Sequence, residues 1–349
     1  MKVKHIALAV AVALGAGAVM LPSPIDAVSE ARTAAEPMVG VHQPNDRLQA
    51  VQPLALPAGA SGPEDIELAA DGCTYTGVSN GDLLRHCGGH WELLANTGGR
   101  PLGLSSDTSG AIYIADGVRG LLKWADGELT VLARSYRDAL LGVVDDVDVS
   151  ADGTLFFSDA SQRWPLDDYV YDVLEGQASG RLFALTPDGD LTLLADDLAF
   201  ANGVAVSADQ SFVLVNETGR SRITRVWLTG EKAGQKDIFA DGLPAIPDGV
   251  SAAPDGTFWV AMVNPRSAVL DGLAEWPWLR EQVAKLPASM LPLPPRYGMI
   301  VQYDATGEAL QSLQDRAAVM VWEVTSVQPA NGSLYLGTLH GTQIFQLPL

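Results

Sequence analysis

The chain has little of what most reactive sites are built from. Its 349 residues include two cysteines and five histidines. Two cysteines cannot staple a small disulfide scaffold, and without a CxxC pair there is no thiolate zinc site to read. Basic side chains are scarce too: 22 Lys and Arg stand against 42 Asp and Glu, a formal net charge of −20. An acidic surface repels phosphate, so nucleic acid and anionic lipid are not expected partners. Apolar runs long enough to cross a bilayer are also missing. The longest, residues 6–21, has 16 residues, short of the roughly 20 that a spanning helix needs. Lys2 and Lys4 precede it, and Pro22 and Pro24 end it. That pattern fits a cleaved signal peptide over residues 1–27, or an uncleaved signal anchor with the lysines inside. Both readings export the rest of the chain, to the periplasm or to the outer side of an anchoring membrane. Residues 28–47 read as a polar linker.

What the chain does have is a repeat. Tight turns lie at Asp71-Gly72, Ser109-Gly110, Asp152-Gly153, Asp209-Gln210, Asp255-Gly256 and Asn331-Gly332, spaced 38, 43, 57, 46 and 76 residues apart. A short run rich in β-branched and aromatic residues follows each turn, and another strand-like run precedes it. Hairpins explain both halves. Third and fourth strands follow, such as GLLKWAD and ELTVLAR. Repeats near 40 residues with four strands each are propeller blades. The fold expected is therefore all-β: a six-bladed β-propeller over residues 48–349, with short helical insertions. Residues 48–56 resemble a strand that precedes the first repeat. It should complete the last blade and close the ring.

The repeat also fixes a site. Glu64, Asp145, Asn202 and Asp248 each stand eight positions before the second turn residue of their unit. Equivalent positions point in equivalent directions, so the four oxygen-bearing side chains should converge at one mouth of the central channel. Three carboxylates and an amide suit Ca²⁺, or less well another hard divalent cation. Leu102 takes that place in the second unit, and Thr325 in the last, on the assumption of a one-residue deletion before Asn331-Gly332. Asp146 is a weaker candidate, either near the cation or bonded to a backbone N–H.

The segments GPEDIELAADGCTYTG, FANGVAVSADQSFVLVNETGRSRITRVWL, IPDGVSAAPDGTFWVAM and SLYLGTL carry a resemblance. They are similar to the strictosidine-synthase-like branch of the gluconolactonase, senescence-marker and paraoxonase group of six-bladed propellers. The resemblance implies a channel calcium held by Glu64, Asp145, Asn202 and Asp248. It also implies hydrolysis of a small lactone or aryl ester, with Asp248 doubling as general base or nucleophile. The alkaloid-condensing members use a glutamate where this chain has Thr325, so condensation is not expected; Glu323 lies two residues away. A non-catalytic propeller with a structural calcium is the alternative.

Other features are read more plainly. Ser-His-Asp catalysis finds no support, and His340, after the last inner strand, reads as an exposed loop histidine near the channel. A hairpin turn at residues 79–82 puts Thr74 opposite Cys87, so a Cys73–Cys87 disulfide would need a one-residue bulge. Two insertions should shape the face of the propeller. One covers residues 164–176. The other covers residues 264–297, with Leu270, Leu273, Trp276, Leu279 and Val283 near helical spacing. Arg220, Arg222 and Arg225 read as salt-bridged surface.

Overall fold

The computed structural model describes residues 21–286 and 295–349. Most of the expected signal or anchor run, residues 1–20, and residues 287–294 of the second insertion lie outside them. Among the described residues the strands form six four-stranded antiparallel sheets and one two-stranded ribbon. The six sheets are the blades of the expected propeller. Blade one begins with Ile66–Leu68, blade two with Pro101–Ser106, blade three with Val144–Val149, blade four with Ala201–Val206, blade five with Ala245–Ala252 and blade six with Val324–Ala330. The ring closes as expected, but with a shorter strand. Gln52–Ala55 pairs antiparallel with Gln346–Gln343 at the outer edge of blade six. Residues 47–50 wind into a 3-10 turn instead, which drives Leu48 into the blade-six core beside Val324, Val327 and Leu334.

The turns explain their own recurrence. In four blades the turn aspartate accepts the N–H two residues on: Cys73 to Asp71 (2.9 Å), Thr154 to Asp152, Ser211 to Asp209 and Thr257 to Asp255 (3.0 Å each). A short carboxylate bonding its own backbone is what makes Asp a turn residue.

The hairpin of blade one differs from the expected register. Thr74 pairs with His86 and Gly77 with Leu83, so the turn centres on Asn80 and the register brings Cys73 level with Cys87 without a bulge. The two form a disulfide with Cα atoms 4.9 Å apart, a spacing that suits one. Cys87-Gly88-Gly89-His90 has the letters of a CxxH ligand pair, but its sulfur is consumed in that bond.

Two further expectations are revised. The second insertion is not one helix but two, Ala268–Leu273 and Pro277–Ala284. Pro277 opens the second and cannot extend the first. Leu270 and Val283 pack inward against Ile25, Leu174 and Ala284, whereas Trp276 is 61% exposed. Residues 28–47 are bonded along the propeller rather than spaced from it. Val28 N–H donates to Glu175 O (3.0 Å), Glu30 N–H to Ala274 O (3.1 Å) and Glu36 N–H to Gly242 O (2.7 Å). The three arginines are ion-paired: Arg220 with Glu30 and Glu217, Arg222 with Glu217, and Arg225 with Asp237.

Candidate metal site and channel mouth

The inner strands break their ladders at one place. Pairing with the next strand slips between Val144 and Val147, between Ala201 and Val204, between Pro247 and Val250, between Pro101 and Gly103, and between Val324 and Ser326. The residues inside those slips are Asp145, Asn202, Asp248, Leu102 and Thr325. A bulge re-aims a side chain out of the pleat, and here it turns the repeated position toward the channel. In blade one Glu64 lies just before the strand. All six residues line one cavity of about 190 Å³, so the structure brings the four expected donors together.

The residue after each bulged position decides how closely the blades meet. At Gly203 and Gly249 a Cβ would fall 2.5 Å from the backbone oxygens of Asp248 and Thr325, so only glycine lets those inner strands approach. Blades one and three carry Asp65 and Asp146 instead, and each is a staple between blades. Asp65 accepts Ile66 N–H (2.7 Å) from its own strand and Leu104 N–H (2.8 Å) from blade two. Asp146 accepts Val147 N–H (2.8 Å) and Val204 N–H (2.7 Å) from blade four. Asp146 thus serves the backbone. Thr325 closes the ring by donating its hydroxyl to Glu64 O at 2.6 Å.

Electrostatically the channel is strained. Asp145 and Asp248 are 5% and 8% exposed. Burial pushes both carboxyls well above the usual range, and the nearby charge of Glu64 pushes them further. Burial raises Glu64 as well, while Arg100 opposes it. Deeper in the channel, burial pushes Glu67 up to about 8 and Asp65 up to about 6. One cation sits among these acids. Arg100 bonds Glu64 Oε2 at 2.9 Å and Gly62 O at 2.9 Å. Repeat arithmetic could not find Arg100, because it occupies no repeated position.

The donors are all oxygen, Asp145, Asn202 and Asp248 are buried, and the three carboxyls repel one another, which is the chemistry a hard divalent cation neutralises. Among the described residues, however, no three Asp, Glu, His or Cys side chains are already gathered closely enough to hold a metal ion. Glu64 is bonded to Arg100 and the fourth donor is an amide. The mouth above them has an apolar side: Leu102, Val143, Ala160 and Phe200 form a buried cluster with Leu166 packed on it, and the Tyr169 ring stands 6.5 Å from that of Phe200. Leu166 and Tyr169 come from the first insertion, whose helix is Tyr169–Glu175. The letters of a G-x-S-x-G motif occur at residues 77–81, but they form a hairpin turn, and the Ser79 hydroxyl is bonded to that of Ser61 at 2.9 Å. A nucleophile elbow needs a strand-to-helix turn.

The sequence matches the family model described as Strictosidine synthase over residues 145–231, and that described as Strictosidine synthase-like, N-terminal, over residues 40–86. An adipocyte plasma membrane-associated protein of Salmo salar is 32% identical over 359 aligned positions, covering 95% of this chain and 85% of that one. Among solved structures, a gluconolactonase of Xanthomonas campestris superposes with a TM-score of 0.62 at 19% identity, covering 95% of this chain and 99% of its own. A calcium-binding regucalcin of Agrobacterium tumefaciens gives 0.57 at 17% identity, covering 83% and 93%. These two structures share the fold alone, whereas the sequence relative aligns along nearly the whole chain. The chain belongs to the strictosidine-synthase-like family of six-bladed β-propellers.

Proposed function

We propose that the protein is a calcium-dependent hydrolase of small lactones or aryl esters. The observation that carries this reading is the set of four oxygen donors from four blades, buried at the channel beside an apolar wall. Glu64, Asp145, Asn202 and Asp248 would hold the ion. Bound there, calcium would polarise an ester carbonyl and stabilise the oxyanion that forms on attack. Leu102, Leu166, Phe200 and Tyr169 offer the apolar surface that an aryl or alkyl group needs. Asp248 has two roles open to it, ligand and base or nucleophile. The gluconolactonase and regucalcin likenesses are in keeping with this reading, and Thr325, engaged with the Glu64 carbonyl, offers no acid for amine–aldehyde condensation.

The propeller is proposed to work outside the cytoplasm, as an exported or membrane-anchored protein. The Cys73–Cys87 disulfide supports an oxidising compartment, and so does the apolar run at residues 6–21. Among the described residues no helix is long and apolar enough to cross a membrane.

A hydrolysis screen of lactones and aryl acetates, with and without chelator, tests the function. Wild type should lose activity in chelator, and Asp248→Ala should lose about 10²-fold or more, the scale of removing one oxyanion-stabilising group. Activity indifferent to chelator would sink the mechanism. No hydrolysis at all, with calcium still raising the melting temperature, would leave a structural ion in a binding propeller.

A further inference from the structure

His340 lies on the turn after the blade-six strand Ser333–Thr338. Its Nδ1 stands 2.9 Å from Glu323 Oε2. Nε2 has no hydrogen-bond partner among the described residues, and the ring is 72% exposed while the Glu323 side chain is 23% exposed. The pairing is held from both sides. Glu323 has φ of +52°, a left-handed conformation that a residue with a Cβ adopts at a cost and that often marks a functional position. Its N–H donates to Tyr297 O (3.3 Å), and its carbonyl accepts from Leu339 N–H (3.1 Å). The His340 turn is tied to the segment that ends in Glu64: Gly62 N–H donates to Gly341 O (2.7 Å) and Thr338 N–H to Pro63 O (2.8 Å). The pair is therefore held on the turn bonded to Gly62 and Pro63, next in sequence to Glu64 of the proposed ion site.

We propose that His340 is the general base of the hydrolysis and Glu323 its positioning residue. This rests on the hydrolase reading above and leaves Asp248 with the ligand role alone. With Nδ1–H donating to Glu323, the lone pair of the neutral ring lies on Nε2. Nε2 takes a proton from water as the water oxygen bonds to the ester carbonyl carbon. The carbon–oxygen bond to the leaving group then breaks, and the imidazolium returns its proton to the departing alkoxide or phenoxide. One water is consumed; an aryl ester yields one acid and one phenol, and a lactone opens to a single hydroxy acid. A base fixed by a carboxylate, with its second nitrogen open to water, suits this task better than a buried carboxylate already committed to a cation.

The test uses the full chain, with aryl acetates and calcium. His340→Ala should lower kcat by about 10²-fold or more, leave the calcium-induced thermal shift unchanged, and recover in part with added imidazole. Glu323→Gln should lower kcat by about tenfold with KM unchanged. Nitrogen-15 NMR of wild type should show His340 with its proton on Nδ1, and Glu323→Gln should mix the tautomers. Active wild type with an unimpaired His340→Ala, or a wild-type proton on Nε2, overturns the base and spares the hydrolase. Wild type inactive on every ester overturns the hydrolase reading, and the base with it.

Discussion

In blades three and five the inner hairpin carries an aspartate at each end, seven residues apart in sequence. Asp152 and Asp255 sit on outer turns. Hydroxyl bonds from Ser150 and Thr257, with backbone N–H groups, hold their carboxyls below the usual range. Asp145 and Asp248 sit on the channel, where burial and neighbouring acids push theirs well above it. The same side chain is thus a satisfied backbone cap at one end of a strand and a carboxyl that resists ionisation at the other. Only the second end gains from a cation. The repeat conserves geometry, and the ring converts that geometry into a site by bringing one end of every hairpin together.

The largest effect expected is on pH dependence. A carboxyl raised on folding keeps its proton where the unfolded chain has released it, so stability falls as pH rises between the two values. For Glu67 that window runs from 4.5 to about 8, worth on the order of 5 kcal/mol at about 1.4 kcal/mol per unit. Asp65 adds a window up to about 6. The turn aspartates act oppositely. Their stabilisation is present above the ordinary carboxylate range and disappears as acid protonates them. In chelator, the melting temperature should therefore fall from pH 5 to pH 8, and calcium should flatten that fall. A melting temperature that rises with pH in chelator would break the comparison at its channel end.

Substitution gives the next contrast. Asp146→Ala strands two backbone N–H groups, Val147 and Val204, inside the ring, at about 1–3 kcal/mol for each unsatisfied group. Asp152→Ala leaves its N–H groups near water and should cost about 1 kcal/mol. Urea titration of both variants, without added calcium, measures the difference directly. Equal losses would mean that Asp146 does not staple blade three to blade four.

How far the sequence reached follows from what a repeat can encode. The blades and the channel positions were legible because the units restate them, and the ring closure because a strand-like run precedes the first unit. The ladder slip that turns those positions inward is written in blades three to five as an acid or amide followed by Gly or Asp, and in blades two and six as Leu102-Gly103 and Thr325-Ser326, a signal too short to read alone. Arg100 was not legible, since contacts between blades depend on how neighbouring units meet, and the Glu323–His340 contact within blade six was not, since no other unit restates it. The hairpin register failed by one residue because the turn at Asn80 is odd in length, and that one residue decides whether Cys73 faces Cys87.

The smallest expected effect lies on the turns, at the unit whose second turn residue is not glycine. Gln210 has φ of +57°, and its N–H donates to Ser207 O at 2.7 Å. A side chain in that region costs about 1–2 kcal/mol, and glycine removes the clash while adding roughly 0.4–1 kcal/mol of unfolded-chain entropy to overcome. Gln210→Gly should therefore stabilise the protein by about 0.5 kcal/mol, visible as a slightly higher urea midpoint with an unchanged slope. The calcium-induced shift should stay as in wild type, because the turn end of the hairpin does not share the channel's charge. A Gln210→Gly variant with altered calcium response would show the two ends of the blade to be coupled through the strand that joins them.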